Sequence, residues 1–327
     1  MTAKKPTMKD VAVEAGVALG TVSKVFNGIP VGEEYKEKVE AAAARLGYQL
    51  NIYARGLRAR KTQTVALIVP NLMNPFYAHL ANLCCDKLAL RGYRLLVATT
   101  SFDPQTEQNC IDMVQQNKVD GIIAITYNPD LEVQEDIPFV IIDRKFHSHI
   151  PCVSSDNYTG GQIAADKLIE NGCRKLLFLG ISSHVQGEAD KRPLGFESEC
   201  KFKGTNYTIQ RVYDEDGIEA LYQFLSSHIS NGKLDYDGIF CGTDLIALQI
   251  QSFLTANGIR IPEDVQIIGY DGIPRFGFDD YACSTILQPL GQMAEAAIDI
   301  VLSDDRSNAP ALVCLPVEYR FGNTTRS

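Results

Sequence analysis

The sequence predicts a small all-α helix-turn-helix head followed by a two-lobed α/β body with parallel, doubly wound sheets. Three observations lead there. The first fifty residues hold three short helical segments punctuated by glycine. From Thr64 onward, unbroken apolar runs alternate with helical stretches, in two successive series. The charge also changes sign along the chain. The net charge of the 327 residues is −9, yet residues 1–61 carry 11 Lys and Arg against 6 Asp and Glu, and the remaining 266 carry 20 against 34. A basic head on an acidic body implies that only the head meets a polyanion.

The head is legible helix by helix. Thr7 followed three residues later by Asp10 is a capping-box signal, and Met8, Val11, Ala12 and Ala15 come after it at helical spacing. Gly16 breaks the run where a tight turn needs a positive φ. A second helix is expected from Leu19 to Phe26, burying Val22, Val25 and Phe26, and Asn27-Gly28 closes it. A third is expected from about Glu33 to Leu46, with the stripe Val39, Ala42, Ala43 and Leu46 and a terminating Gly47. Three short helices with a glycine turn between the first two describe a helix-turn-helix.

In the body, VALIV, RLLVAT, GIIAI and FVIID form the first series of strands, and KLLFLG, YTIQRVY, GIFCG and VQIIGYD the second. Ser284 to Gln288 and Leu312 to Glu318 read as further strands around a helix at Leu290 to Leu302. Two such series imply two α/β lobes.

Several function classes find no support. The longest apolar runs are strand-sized, far short of the roughly 20 residues of a membrane span, and Met1 to Lys9 has no apolar run behind it that would make a signal peptide. Nine scattered cysteines without a CxxC pair fit a reducing compartment, so the cytoplasm is expected. There is no GxxxxGK[ST], GxSxG or HExxH, so no catalytic residue, metal or cofactor is expected and the chain is not read as an enzyme. His147 and His149 read as a loop pair rather than metal ligands.

The strings MKDVAVEAGVALGTVSKVFNG and KEKVEAAAARLGYQLNIYARGL closely resemble the head of the lactose-repressor/galactose-repressor family of bacterial transcription regulators, and the similarity runs through essentially the whole chain. The resemblance implies a helix-turn-helix domain at residues 1–50, a hinge helix and linker at 51–63, and a periplasmic-binding-protein-like body at 64–327. It also implies crossovers near residues 157, 287 and 315. Lobe 1 would then be about 64–157 with 288–314, and lobe 2 about 158–287 with 315–327.

Carried over by position, the second helix enters the major groove. Leu19, Gly20 and Lys24 face base edges, while Thr21, Ser23 and Asn27 contact phosphates; Thr7 and Tyr48 complete the head's contacts. A lysine can donate to guanine O6 and N7, whereas short polar side chains only fix position. Ala18 stands where the family usually has serine, removing a hydroxyl cap worth roughly 0.5–2 kcal/mol. In the hinge, Asn51 caps a short helix carrying Ala54, Arg55, Leu57 and Arg58. Leu57 matches the family's leucine wedge in the minor groove; the other reading of Leu57 is a linker residue packed on the core.

For the effector, the strand-end candidates are Phe76 and Tyr77 as stacking rings, Asp143 and Arg144 after FVII, Arg192 in KRPLGF, Thr243 and Asp244 after GIFCG, Asp271 at the end of VQIIGYD, and Gln288. Aspartates and an arginine supply the bidentate hydrogen bonds that polyhydroxyl ligands need. Asp244 and Asp156 carry a second reading as helix caps or loop anchors. The function implied is a ligand-responsive, homodimeric repressor of a carbohydrate-utilisation operon, tetramers not excluded, released from a pseudo-palindromic operator in double-stranded DNA by a sugar or sugar phosphate. The alternatives are a purine-type regulator activated by a corepressor, and a sugar-binding transport protein.

Overall fold

The structure is a computed structural model that describes residues 6–26, 29–48, 62–134, 136–144, 150–275, 278, 280–305 and 308–326. The chain divides into two compact units, Met1–Thr62 and Gln63–Ser327.

Among its described residues, the first unit has three helices: α1 (Met8–Ala15), α2 (Leu19–Phe26) and α3 (Glu33–Leu46). Thr7 and Asp10 form the expected capping box, and Gly16 ends α1 at φ 63°, a conformation an L side chain rarely adopts. Val11, Val22, Val39 and Ala42 are fully buried at the centre, with Leu46, Phe26 and Tyr48 packed around them. A core this small suffices because each helix contributes one narrow apolar stripe.

The second unit holds two six-stranded sheets. The strands are β1 (Thr64–Val69), β2 (Arg94–Thr99), β3 (Gly121–Ala124), β4 (Phe139–Ile142), β5 (Cys152–Ser155), β6 (Lys175–Ser182), β7 (Asn206–Tyr213), a short hairpin β8 (Ile229–Ser230) and β9 (Lys233–Leu234), β10 (Gly238–Cys241), β11 (Gln266–Asp271), β12 (Thr285–Leu287), β13 (Leu312–Leu315) and β14 (Glu318–Arg320). The first sheet runs β13-β5-β4-β3-β1-β2 and is parallel throughout. The second runs β14-β12-β11-β10-β6-β7, and only β14 is antiparallel. The helices between strands are α4 (Pro75–Leu90), α5 (Pro104–Gln116), α6 (Asn157–Glu170), α7 (Lys191–Lys203), α8 (Gly217–Ser227), α9 (Asp244–Ala256) and α10 (Leu290–Leu302). Central strands such as β1, from Val65 onward, and β10 are apolar and buried because helices cover both faces.

The chain passes between the sheets three times: from β5 into α6, from β12 into α10, whose Met293, Ala297 and Val301 pack into the core of the first sheet, and from β13 to β14. The last crossing corrects the expectation of one strand from Leu312 to Glu318. Pro316 has no N–H to give a ladder, so the run breaks there and its halves join different sheets. No helix among the described residues is long and apolar enough to cross a membrane.

Candidate functional site

A cleft of about 160 Å³ lies between the sheets, at the carboxyl ends of their strands. Local sequence places its walls. Asn74 caps α4 by accepting from the Phe76 N–H (3.0 Å), and Pro75 fits the first turn, so Phe76 and Tyr77 arrive at the cleft directly after β1. The Phe76 and Tyr77 rings meet edge to face at 5.6 Å, and the Tyr77 hydroxyl lies 3.3 Å from that of Tyr127. Burial pushes the Tyr77 phenol well above its ordinary range. Asp143 and Arg144 come directly after β4, and Asp143 has φ 60°, in the left-handed region.

From the second sheet, Arg192 reaches the cleft on the first turn of α7 and is 5% exposed. It donates from Nε to Asn157 Oδ1 (2.7 Å) and from Nη1 to the Gly242 carbonyl (2.6 Å), and its guanidinium sits 3.7 Å from the centre of the Tyr270 ring. Close backbone packing sets that position. A Cβ at Gly161 would lie 2.0 Å from the Arg192 carbonyl oxygen, and one at Gly195 would lie 1.9 Å from that of Tyr158, so only glycines let α6 and α7 touch.

A buried polar chain runs from Arg192 through the crossover. Asn157 Nδ2 donates to Ser154 Oγ (3.1 Å), which donates to Asp143 Oδ1 (2.7 Å). Ser155 Oγ donates to Gln288 Oε1 (2.8 Å), and Gln288 Nε2 donates to Asp271 Oδ1 (2.8 Å). Burial pushes the Asp271 carboxyl up to about 8; Arg192 opposes the rise, Gln288 also opposes it, and the Asp244 and Asp143 charges add to it. Burial raises Asp143 as well, against the pull of Arg192 and the Ser154 hydrogen bond. A second set of ties joins the lobes beside the cleft: Arg144 Nη1 donates to the Val185 carbonyl (2.8 Å), and the Glu188 N–H donates to the Asp143 carbonyl (2.9 Å). The Arg144 guanidinium lies 3.6 Å from the centre of the Tyr127 ring.

The structure therefore brings Phe76, Tyr77, Asp143, Arg144, Arg192, Thr243, Asp271 and Gln288 to one cleft. Asp244 is a correction. It is fully buried and does not line the cleft; its carboxylate accepts from the backbone N–H of Gly272 (2.9 Å) and Ile273 (2.7 Å), and the Cys283 thiol donates to it. Those donors hold the turn after β11, which is the loop-anchoring alternative. Thr243 caps α9, accepting from the Ile246 N–H, and Asp156 caps α6. Sequence reasoning missed Tyr127, Asn157, Asp190 and Arg211. Arg211 ion-pairs with Asp190 and donates to Ser182 Oγ (2.7 Å). Its place near the end of YTIQRVY, a strand terminus, was the available signal.

In the head, Leu19, Gly20 and Lys24 are exposed on α2, and Thr21 and Ser23 are half-buried. Thr7 is engaged in its capping box, and Tyr48 packs 5.3 Å from the Phe26 ring. Asn27, Asn51, Ala54, Arg55, Leu57 and Arg58, with His147 and His149, lie outside the described residues.

A helix-turn-helix unit on one chain with a two-sheet body holding a polar, ring-lined cleft defines a DNA-binding regulator with a ligand-binding body. Comparison with known proteins gives the family. A profile described as "Bacterial regulatory proteins, lacI family" matches residues 7–51, and one described as "Periplasmic binding proteins and sugar binding domain of LacI family" matches residues 62–309. The chain belongs to the LacI family. It is 32% identical to the ribose operon repressor of Bacillus subtilis (strain 168), over 98% of each chain. It is 30% identical to the sucrose operon repressor of Pediococcus pentosaceus, over 98% of this chain and 99% of that one. Among solved structures, a periplasmic binding protein/LacI transcriptional regulator from Alkaliphilus metalliredigens QYMF, complexed with D-xylulofuranose, aligns with a TM-score of 0.66 at 28% identity, covering 81% of this chain and all of that one. The lac repressor dimer bound to operator and the anti-inducer ONPF aligns with a TM-score of 0.79 over 99% of this chain and all of that one; at 20% identity that likeness speaks to fold alone.

Proposed function

We propose that this chain is a homodimeric, cytoplasmic repressor of a carbohydrate-utilisation operon, whose grip on DNA changes when a sugar fills the cleft. The observation that carries the reading is the locked Arg192, held by Asn157, Gly242 and Tyr270 so that it faces the cleft already oriented. The similarity to ribose and sucrose operon repressors over nearly the whole chain supports the same class of effector.

The mechanism couples two sites. A twofold dimer presents two heads to a pseudo-palindromic operator. Lys24 donates to base edges, Thr21, Ser23 and Asn27 hold phosphates, and exposed Leu19 offers an apolar contact such as a thymine methyl. Gly20 has no side chain to read a base, so direct readout is thin and DNA shape contributes more. Asn51, Ala54, Arg55 and Arg58 support Leu57 as a minor-groove wedge, whose unstacking cost of a few kcal/mol is offset by added contacts. Effector in the cleft alters the angle between the lobes and weakens the operator complex. Switching the population from 99:1 to 1:99 requires about a 10⁴-fold preference for one state.

The test is a gel shift with DNA from upstream of the chain's own gene and its neighbours, repeated across a sugar series. The expected result is specific binding that one sugar weakens. Binding of no fragment at low salt, or binding that no metabolite changes, refutes the reading.

A further inference from the structure

We infer that the cleft is built for a neutral, single-ring polyol and turns away both phosphorylated sugars and disaccharides. The inference rests on the proposed role of this cleft as the effector site and narrows it to one chemical class.

Size is the first argument. The cleft measures about 160 Å³, and for scale an apolar cavity of about 150 Å³ holds one benzene ring. A pentose or hexose ring is of that order, and a disaccharide is twice as large. Two ties between the lobes narrow the space beside the cleft: Arg144 donates to the Val185 carbonyl, and the Glu188 N–H donates to the Asp143 carbonyl. Gly187 sits so close to Arg144 that a Cβ there would lie 3.1 Å from its Cγ. Identities of 32% to a ribose repressor and 30% to a sucrose repressor do not choose between one ring and two; the volume of the cleft favours one.

Charge is the second. Among the described residues, the cleft is lined by Arg144, Arg192 and Arg211, and by Asp143, Asp190 and Asp271. Every one of these arginines is already engaged. Arg211 is paired with Asp190 and bonded to Ser182. Arg144 gives one donor to the Val185 carbonyl and lies on the Tyr127 face, and Arg192 gives two, to Asn157 and Gly242, and lies on the Tyr270 face. A phosphate dianion is held best by a free fork of donors; here each guanidinium already gives part of its fork to protein groups, and a phosphate would have to displace Asp190 to take Arg211. Burial also disfavours negative charge in this place, as the raised Asp271 and Asp143 carboxyls show. Hydroxyls face neither obstacle, since they donate to the aspartates and accept from the remaining arginine N–H groups.

The aromatic side agrees. Phe76, Tyr77 and Tyr127 on one wall and Phe178 on the other flank the polar groups, as a sugar ring with apolar faces and polar edges requires.

Calorimetry on the purified full-length protein tests this with three arms: D-ribose, D-xylulose, D-glucose and D-fructose; sucrose and cellobiose; and ribose 5-phosphate, glucose 6-phosphate and inorganic phosphate. The expected result is that one neutral monosaccharide binds at least about tenfold tighter than its phosphate ester and than either disaccharide. Tighter binding of a phosphate ester or a disaccharide overturns the inference, as does binding by no member of the panel. A gel shift run in parallel keeps the two readings apart. If a phosphorylated sugar or a disaccharide releases bound DNA, the regulator stands and this inference falls. If no DNA is bound, the regulator falls and the ligand ranking still decides the inference. Asp190→Asn, which unmatches Arg211, should narrow the preference for sugar over phosphate ester by about tenfold; an unchanged ratio overturns the charge argument.

Discussion

The first sheet meets the cleft with three rings, Phe76, Tyr77 and Tyr127, beside Asp143 and Arg144, whereas the second meets it with Arg192, Asp190, Arg211 and Ser182 and a single ring, Phe178. Both sheets are parallel over most of their width and both present strand ends, so the fold alone does not account for the contrast. The difference arises in the segments that leave the strand ends. After β1, the Asn74-Pro75 cap puts two aromatic residues on the first turn of α4. On the other side, α6 and α7 touch through Gly161 and Gly195, which leaves Arg192 no freedom of position. The α10 helix on the first sheet packs through side chains instead, among them Met293, Ala297 and Val301. The first wall is therefore the richer in rings, and the second carries the larger fixed set of donors and acceptors. Selectivity is expected to reside in the second.

Glycine substitutions should sharpen this most. Gly195→Ala forces a Cβ onto the Tyr158 carbonyl and is expected to cost about 3 kcal/mol or more of stability. Gly291→Ala, on α10, points into open space and should gain up to about 1 kcal/mol from helix propensity. Urea denaturation of the two variants reads both values; similar losses would show that the helix packing of the two sides does not differ as described. Next in size, Arg192→Lys removes the planar fork that Asn157 and Gly242 hold, and calorimetry should show the effector bound about 100-fold more weakly, with operator binding retained. Tyr127→Leu keeps bulk but loses the ring, and about a tenfold loss is expected. A larger loss for Tyr127 than for Arg192 would place selectivity on the aromatic wall.

Much of this was open to reading from sequence because its causes are local. The Thr7/Asp10 cap, the turn at Gly16 and the stripe Val39, Ala42 and Ala43 each need only neighbours within a few residues. The apolar strands are equally plain, since helices on both faces make every position apolar. Asp244 shows where local reading ends. A strand-end aspartate looks the same whether it faces a ligand or the backbone of Gly272 and Ile273, nearly thirty residues onward. Asn157 and Arg192 are 35 residues apart, and Arg211 and Asp190 are 21 apart; pairs of this kind are created by packing and leave no periodic trace. Pro316 was the readable signal that the last strand breaks, and the apolar run around it masked that signal.

The smallest effect concerns Asp271, the acid that joins the two walls through Gln288 and Ser155. Burial raises its carboxyl in the folded chain to about 8, against Arg192 and Gln288, with the Asp244 and Asp143 charges adding to the rise. The unfolded chain holds it in the ordinary aspartate range, near 4. The folded state therefore binds the proton more tightly, so the contribution to stability is complete below that range and is lost as pH rises toward 8. The slope from this one group is at most ~1.4 kcal/mol per pH unit. Asp271→Asn has no proton to lose, so its denaturation midpoint should fall less than that of the wild type between about pH 5.5 and about pH 8.5. Asp143 and Asp244 are raised in the same direction by burial, which leaves the variant a residual slope. Parallel curves for the two proteins would mean that Asp271 is ionised throughout the range, and that the cleft tolerates negative charge better than its burial implies.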